Sequence, residues 1–283
     1  LSQAHGGRGV IEVEKLKVVT RYELLKQFRR RRFYGALIIT LLAVGLTAGL
    51  YEGLNLAESL GIETLVAKWD AEIFTMFLTG MSSLAVLAAV FFAGDSIAGE
   101  FERKTGYILF PNPVKRSTLV IGKYLACLIA TAVILLAAYA LSALLVFGFY
   151  GRVPGGIFGS LAVTLAMASC VLSLAFTFSS ALRGGMGATV ATLLVFMVLS
   201  PIISGSLAYA GYDAWFMPDR AGDAAGAAYG IPLENFAGML GGGPMEGMMR
   251  ASSDPTLSFF VLLAYTIGLF FLSLFLAGHR EMV

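Results

Sequence analysis

Side chains able to act on another molecule gather in one stretch, Gly94 to Lys123, between two apolar runs. It carries Glu100, Glu102, Arg103, Lys104, Lys115 and Arg116 around a Pro111-Asn112-Pro113 break. Acids and bases flanking a proline break suit recognition of a soluble protein surface, and they form no nucleophile–base pair for covalent catalysis. Elsewhere reactive groups are few. His5 and His279 sit near the termini, so no apolar run holds paired histidines for haem and no HExxH zinc site exists. Cys127 and Cys170 lie inside apolar runs and make neither a CxxC motif nor a disulfide scaffold. Met239, Met245, Met248 and Met249 form a thioether cluster; such clusters bind Cu(I), and methionine is equally ordinary filling for an interfacial loop. No GxxxxGK[ST] is present, because the one Gly-Lys, Gly122-Lys123, is followed by Tyr124. The chain is therefore expected to have no catalytic role by itself and no cofactor or metal site of its own, with Cu(I) on the four methionines as the alternative that the sequence leaves open.

These residues must be positioned by apolar helices. Of 283 residues 58% are hydrophobic and 13% charged, with a mean hydropathy of +0.80, against roughly 25% charged in a soluble domain. Six runs stand out, about Phe33–Tyr51, Ile73–Ala93, Leu119–Phe149, Ile157–Leu182, Met186–Tyr209 and Leu257–Ala277. A spanning helix needs roughly 20 apolar residues, and backbone groups without water must pair within the helix. The expected fold class is an all-α integral membrane protein with six transmembrane helices. No run carries Asp, Glu, Lys or Arg well inside it, since Asp95 and Lys123 lie at a boundary. Ion-coupled carriers need such charges, so an ATP-independent carrier is a poor fit. The pathway is expected to be apolar and hydroxyl-lined, with Met76, Phe77, Met81, Ser82, Met167, Ser169 and Ser173 among the available residues.

Lys and Arg set the orientation. With six spans, one side holds 16 of the 20, counting nine before the first run, five in the Gly94–Lys123 island, Arg183 and Arg280. The other side holds 11 of the 18 acids. Both termini and the island are thus expected in the cytoplasm of a multi-pass cell-membrane protein. Residues 1–32 read as a tail and a basic amphipathic interfacial helix, with Ile11, Val18, Tyr22, Leu25 and Phe28 near helical spacing among Lys15, Lys17, Arg21 and Lys26. Arg29, Arg30, Arg31 and Arg32 abut the first span and are expected to anchor the inner leaflet on anionic lipid, not to bind nucleic acid. Residues 33–283 form the six-span domain, with a cytoplasmic segment 94–118 and an outer loop 212–255. That loop is expected to dip a short helix, Leu233–Leu240, into the outer leaflet. Gly45-x-x-x-Gly49 permits close helix approach, within the chain or between copies. Pro201, inside the fifth span, removes a backbone bond and marks a helix hinge, with Ser200, Ser204 and Ser206 placed to satisfy the freed carbonyl.

Within the island, Ile97, Phe101 and Ile108 suggest that the second span continues as a surface helix, which Pro111 ends. Asn112 is a good N-cap and Pro113 a good first residue for a short transverse helix before Leu119. Here the chain resembles the type-2 ABC exporter permeases. Their loop runs Gly-Glu, an acid, Gly-Thr, an apolar cluster, Pro-Val-x-Arg and Gly-Lys. The matching residues are Gly99-Glu100, Glu102, Thr105, Ile108-Leu109-Phe110, Pro113-Val114, Arg116 and Gly122-Lys123. Lys104 and Gly106 depart from that pattern. The resemblance implies a permease that pairs with a second copy or paralogue and with two cytoplasmic ABC ATPase subunits, which bind ATP and Mg. It implies an ATPase contact through Glu100, Glu102, Arg103, Thr105, Asn112, Pro113, Val114 and Arg116, and export of a hydrophobic or amphipathic substrate. A mechanotransmitter, in which the ATPase reshapes the outer loop to act on an external partner, is the rival reading.

Overall fold

The computed structural model describes residues 3–54, 63–79, 82–94, 96–98, 115–182, 184–231 and 254–279, with backbone alone at 3–12, 63–68, 82–85, 91 and 116. The described residues are helical, without a strand. In chain order the helices are α1 (Gln3–Arg29), α2 (Arg31–Gly53), α3 (Glu63–Thr79), α4 (Ser82–Ala93), α5 (Arg116–Tyr150), α6 (Ile157–Ala181), α7 (Gly185–Leu193), a π-helical segment π1 (Leu194–Leu199), α8 (Ser200–Tyr209), α9 (Pro218–Ala227) and α10 (Pro255–His279).

Five of these are long and apolar enough to cross a membrane: α2, α5, α6, the continuous α7–π1–α8 rod and α10. The sixth expected run, Ile73–Ala93, is divided between α3 and α4 on either side of residues 80–81. Its two ends still stand at opposite ends of the bundle. Tyr51 packs on Phe74 at one end, and Phe33 packs on Phe92 at the other. α3 begins ten residues before the apolar run and is bent at Trp69 (φ −129°, ψ 36°). There the Asp70 carboxylate takes the Ala71 amide at 2.6 Å, which satisfies a donor that the bend removes from the helical ladder. α5 has 35 residues and is therefore about 52 Å long. That exceeds a hydrocarbon core of about 30 Å, so one end must project. Gly151, at φ 67°, closes it in the left-handed conformation that glycine adopts without strain, and its amide caps Phe147 O.

α6 is the centre of the bundle. Of its most apolar stretch 72% is buried, against 22% for α7–π1–α8 and 11% for α10. The sequence explains this, because α6 is rich in Ala and Ser, which let neighbouring backbones approach closely. Its hydroxyls Ser169, Thr177 and Ser180 meet Thr266 Oγ1 (3.2 Å), Leu269 O (2.9 Å) and Ser273 Oγ (3.3 Å) of α10. The two helices rise in number together, so they run parallel. Two apolar clusters complete the core. One surrounds Phe92, Ile134, Met167 and Phe176 toward the Lys123 end. The other surrounds Val44, Phe74, Tyr139 and Tyr229 toward the Arg152 end.

α1 packs lengthwise on the start of α5. Val19 sits where a Gly122 Cβ would come within 2.6 Å, Glu23 meets Lys123 at 3.5 Å, and Gln27 Nε2 donates to Cys127 Sγ at 3.4 Å. The pairs advance together on both helices, which are parallel over this stretch. Of the apolar positions expected to line one amphipathic face, Val18, Tyr22 and Leu25 are exposed, while Phe28 packs against the core. The inward face is instead set by Leu16, Val19, Glu23 and Gln27.

Candidate functional site

Glu100, Glu102, Arg103, Thr105, Asn112, Pro113 and Val114 lie outside the described residues, as do the outer-loop methionines, Leu233–Leu240 and Met81. Arg116 starts α5, and Lys115 takes its extended N-cap position. Residues 116–118, expected within the coupling segment, thus belong to the long helix. The rims of the island are described on both sides and are held tightly. α4 ends at Ala93 and residues 96–97 turn before Ala98, which is helical; the surface helix expected through Phe101 and Ile108 otherwise lies outside the described residues. A Cβ on Gly94 would overlap Thr189 Oγ1 and come within 2.8 Å of its Cβ. Ser179 Oγ accepts the Ile97 and Ala98 amides at 3.0 and 2.9 Å.

Lys123 closes the other rim. It reads as a boundary charge in the sequence, yet only 4% of its surface is exposed. Its ammonium donates to Ser96 O at 3.2 Å and pairs with Glu23, which also meets Lys26 at 3.4 Å. Cys127, one turn further along α5, donates to Phe92 O at 3.2 Å. One buried cation and one thiol therefore tie α1, α4, α5 and the 96–98 turn together. A buried ammonium is tolerated only when paired and hydrogen-bonded, and this one is. The sequence signalled Lys123; nothing in it singled out Glu23, Gln27 or Ser179.

The four-arginine run is a corner. Arg30 is extended between α1 and α2 (φ −79°, ψ 137°), and Phe28 meets Phe33 edge to face at 4.7 Å across it. Arg29, Arg31 and Arg32 are exposed.

At the opposite end Pro201 is the second residue of α8, directly after π1. The neighbouring hydroxyls do something the sequence did not suggest. Ser200 and Ser204 donate to the Asp219 carboxylate at 2.6 and 2.5 Å, although Ser204 also reaches Pro201 O at 3.3 Å. Asp219 belongs to α9, whose Arg220, Ala221, Gly222, Ala224, Ala225 and Gly226 are all buried. Gly222 faces Met167, Gly226 faces Met76, and a Cβ on Gly156 would come within 2.8 Å of Tyr229 Cα. Asp223 is the exposed residue among them; desolvation by the surrounding bundle still lifts its carboxyl to about 6, with the Arg220 charge opposing and the Asp219 charge assisting. Sequence reading passed over this helix inside a loop rich in Gly and Ala. The available signal was Pro218-Asp219, a proline and an acid in a first helical turn.

The residues named for a pathway are divided among separate contacts. Met76 and Met167 seat α9, Ser169 joins α10, and Ser173 donates to Tyr124 Oη at 3.1 Å. Deeper toward the Arg152 end, Tyr139 Oη bonds with Ser160 and Thr164 at 2.9 and 2.7 Å, and Thr79 pairs with Tyr229. Among the described residues no three His, Cys, Asp or Glu side chains are placed to hold a metal ion.

The family model described as ABC-2 family transporter protein matches residues 18–223, well over half of the chain. Comparison with curated proteins gives no match. The matched range takes in the α1–α5 packing, both island rims, α6, the Pro201 rod and the start of α9. This multi-pass membrane protein belongs to the ABC-2 transporter family.

Proposed function

We propose that the chain is the permease subunit of an ATP-driven ABC transporter, worked by two separate cytoplasmic ATPase subunits that engage residues 94–118. The observation that carries this reading is the anchoring of the island rims. Ser96, Ile97 and Ala98 are bound to Lys123 and Ser179, and Gly94 abuts Thr189. A push on residues 99–114 therefore enters α4, α5, α6 and α7 at once, with α1 drawn in through Glu23. Close-packed interiors transmit such displacement because they have little free volume. ATP binding would draw the islands of two permease copies together and change access across the membrane. Export of a hydrophobic or amphipathic substrate suits a bundle whose described interior, apart from Gln27, Lys123 and Arg220, presents hydroxyls and apolar groups. The surplus of Lys and Arg at the Lys123 end supports a cytoplasmic island and termini, with Arg29–Arg32 on anionic head groups.

Co-purification from native membranes tests the assignment. A stoichiometric ATP-binding subunit, lost on Glu100→Arg or when residues 113–116 become Gly/Ser, is the expected result. A preparation free of any ATPase, in detergents that preserve such complexes, overturns it. Retention of the subunit by both variants would move the interface elsewhere. The mechanotransmitter reading draws on one observation, the burial of α9, which ties the 212–255 loop to the bundle. ATPase stimulation by an external protein but by no small hydrophobic compound would favour it.

A further inference from the structure

The rod Gly185–Tyr209 is continuous but held in two different ways. Its α7 half packs on α6 and α4, and Thr189 touches the island rim at Gly94. Its α8 half packs on α9. Between the two lie the six residues of π1 and then Pro201. A π turn leaves the ladder widened, and proline supplies no amide and crowds the carbonyl four residues before it. Both features lower the cost of bending at one place. Much of the rod's surface is exposed: Val190, Leu194, Met197, Val198, Ile202 and Ile203 all face outward. Few side-chain contacts therefore resist bending along its length.

Asp219 grips the rod directly after π1, at the start of α8. Its two carboxylate oxygens take Ser200 and Ser204, one on each side of Pro201 and four residues apart. Hydrogen bonds to a charged acceptor are stronger than neutral ones, and here both oxygens are used on a single helical turn. α9 is itself wedged against α6 and α10, so the grip refers α8 to the rigid centre of the bundle.

We propose that π1 and Pro201 form a hinge in this rod, and that Asp219 on α9 is the latch that holds its α8 half in place. Release of the latch frees α8 to move relative to α7, which connects a displacement at the island rim to the 212–231 side of the molecule. The latch stands on this geometry alone and does not require the ATPase assignment.

Hydrogen exchange on the full chain in micelles tests it. Asp219→Asn should speed exchange of amides in 194–209 by roughly tenfold or more, while the α6–α10 interface is unchanged. The Ser200→Ala/Ser204→Ala double variant should give the same acceleration, and combining all three substitutions should add little. Unchanged exchange in 194–209, or acceleration spread equally over α6 and α10, overturns the latch. A second variant guards against misfolding: Ser204→Cys/Asp219→Cys, compared oxidised and reduced in one sample. The oxidised form should exchange more slowly across 194–199, and equal rates would refute the proposal.

Discussion

At the Lys123 end of the bundle a buried ammonium takes Glu23 of α1, a hundred residues earlier, and Ser96 O of the turn after α4, 27 residues earlier. At the opposite end a carboxylate, Asp219, joins neighbours only 15 and 19 residues away. The first arrangement is an ion pair enclosed by four elements. The second uses neutral donors on a helix that carries a π turn and a proline. The contrast suggests rigidity where the island meets the bundle and compliance on the far side. Force entering at a stiff rim would be conserved until it reaches the joint.

The most severe way to break the comparison is Lys123→Met. It leaves the partly buried Glu23 paired only with Lys26 among the described residues and releases Ser96 O, at a cost of up to roughly 3 kcal/mol for removal of the buried partner of the pair. Denaturant unfolding in mixed micelles would measure it, and adding Glu23→Gln should recover part of the loss. A loss no greater than for an exposed lysine such as Lys17 would remove the claim that the rim is rigid.

Next in size is a pair of glycine substitutions. Gly94→Ala drives a methyl into Thr189, including its Cβ at 2.8 Å and its Cα at 3.1 Å, and overpacking of that kind costs about 2 kcal/mol. Gly222→Ala meets only the tip of Met167, Cε at 2.5 Å and Sδ at 2.8 Å. A thioether tail can swing aside, so its cost should stay below about 1 kcal/mol. Equal destabilisation by the two would erase the difference between stiff and compliant ends.

A smaller effect concerns pH. Asp223 faces Arg220 and Asp219 on its own helix, while α6, α8 and the described part of α4 carry no charged residue, and His279 of α10 and the Asp70–Glu72–Arg152 fork lie elsewhere. Desolvation lifts its carboxyl to about 6, so it holds a proton more tightly in the folded chain, and because the residue is exposed solvent screening keeps the effect small. The stability this contributes is complete below about pH 4 and is lost as pH rises through about 6. Thermal melts from pH 4 to 8 should show that decline, and Asp223→Asn should flatten it. A decline that persists unchanged in the variant assigns it to another group.

The least effect is expected at the Arg152 fork, which takes Asp70 at 2.7 Å and Glu72 at 3.0 Å but stands in solvent. Burial alone would raise the Asp70 carboxyl, yet the Arg152 bond, the Ala71 amide and the Arg152 charge hold it below its ordinary value. That contribution is present above about pH 4 and fades as pH falls through the lowered value. Exposed pairs are screened, so Arg152→Ala should shift the melting temperature slightly at low salt and not at high salt. A large, salt-independent shift would place a second rigid clamp at this end.

How much of this was readable beforehand depends on the range of each cause. Five apolar runs became single long helices close to where the sequence put them, because run length against bilayer thickness is a local property. The sixth was found as α3 and α4, and the bend at Trp69 has no signature in a hydropathy pattern. Pro201 was legible as a backbone defect. Asp219 was not legible as its partner, since no periodicity says that a carboxylate in an Ala/Gly-rich loop folds back onto Ser200 and Ser204. The amphipathic reading of α1 found its exposed apolar positions, while the face that packs on α5 includes Glu23 and Gln27, polar residues that a hydrophobic stripe omits.

By itself the sequence determined an all-helical membrane protein with a charged island between apolar runs and basic residues weighted to one side. Those properties follow from composition within windows of some twenty residues. Only the tertiary structure decided that Lys123 is buried, that Ser179 receives two amides from residues more than eighty positions earlier, and that α9 is wedged into the bundle. Each of these depends on which helices approach closely enough for short polar side chains to meet. That is a property of the packed assembly of helices, which no single segment encodes.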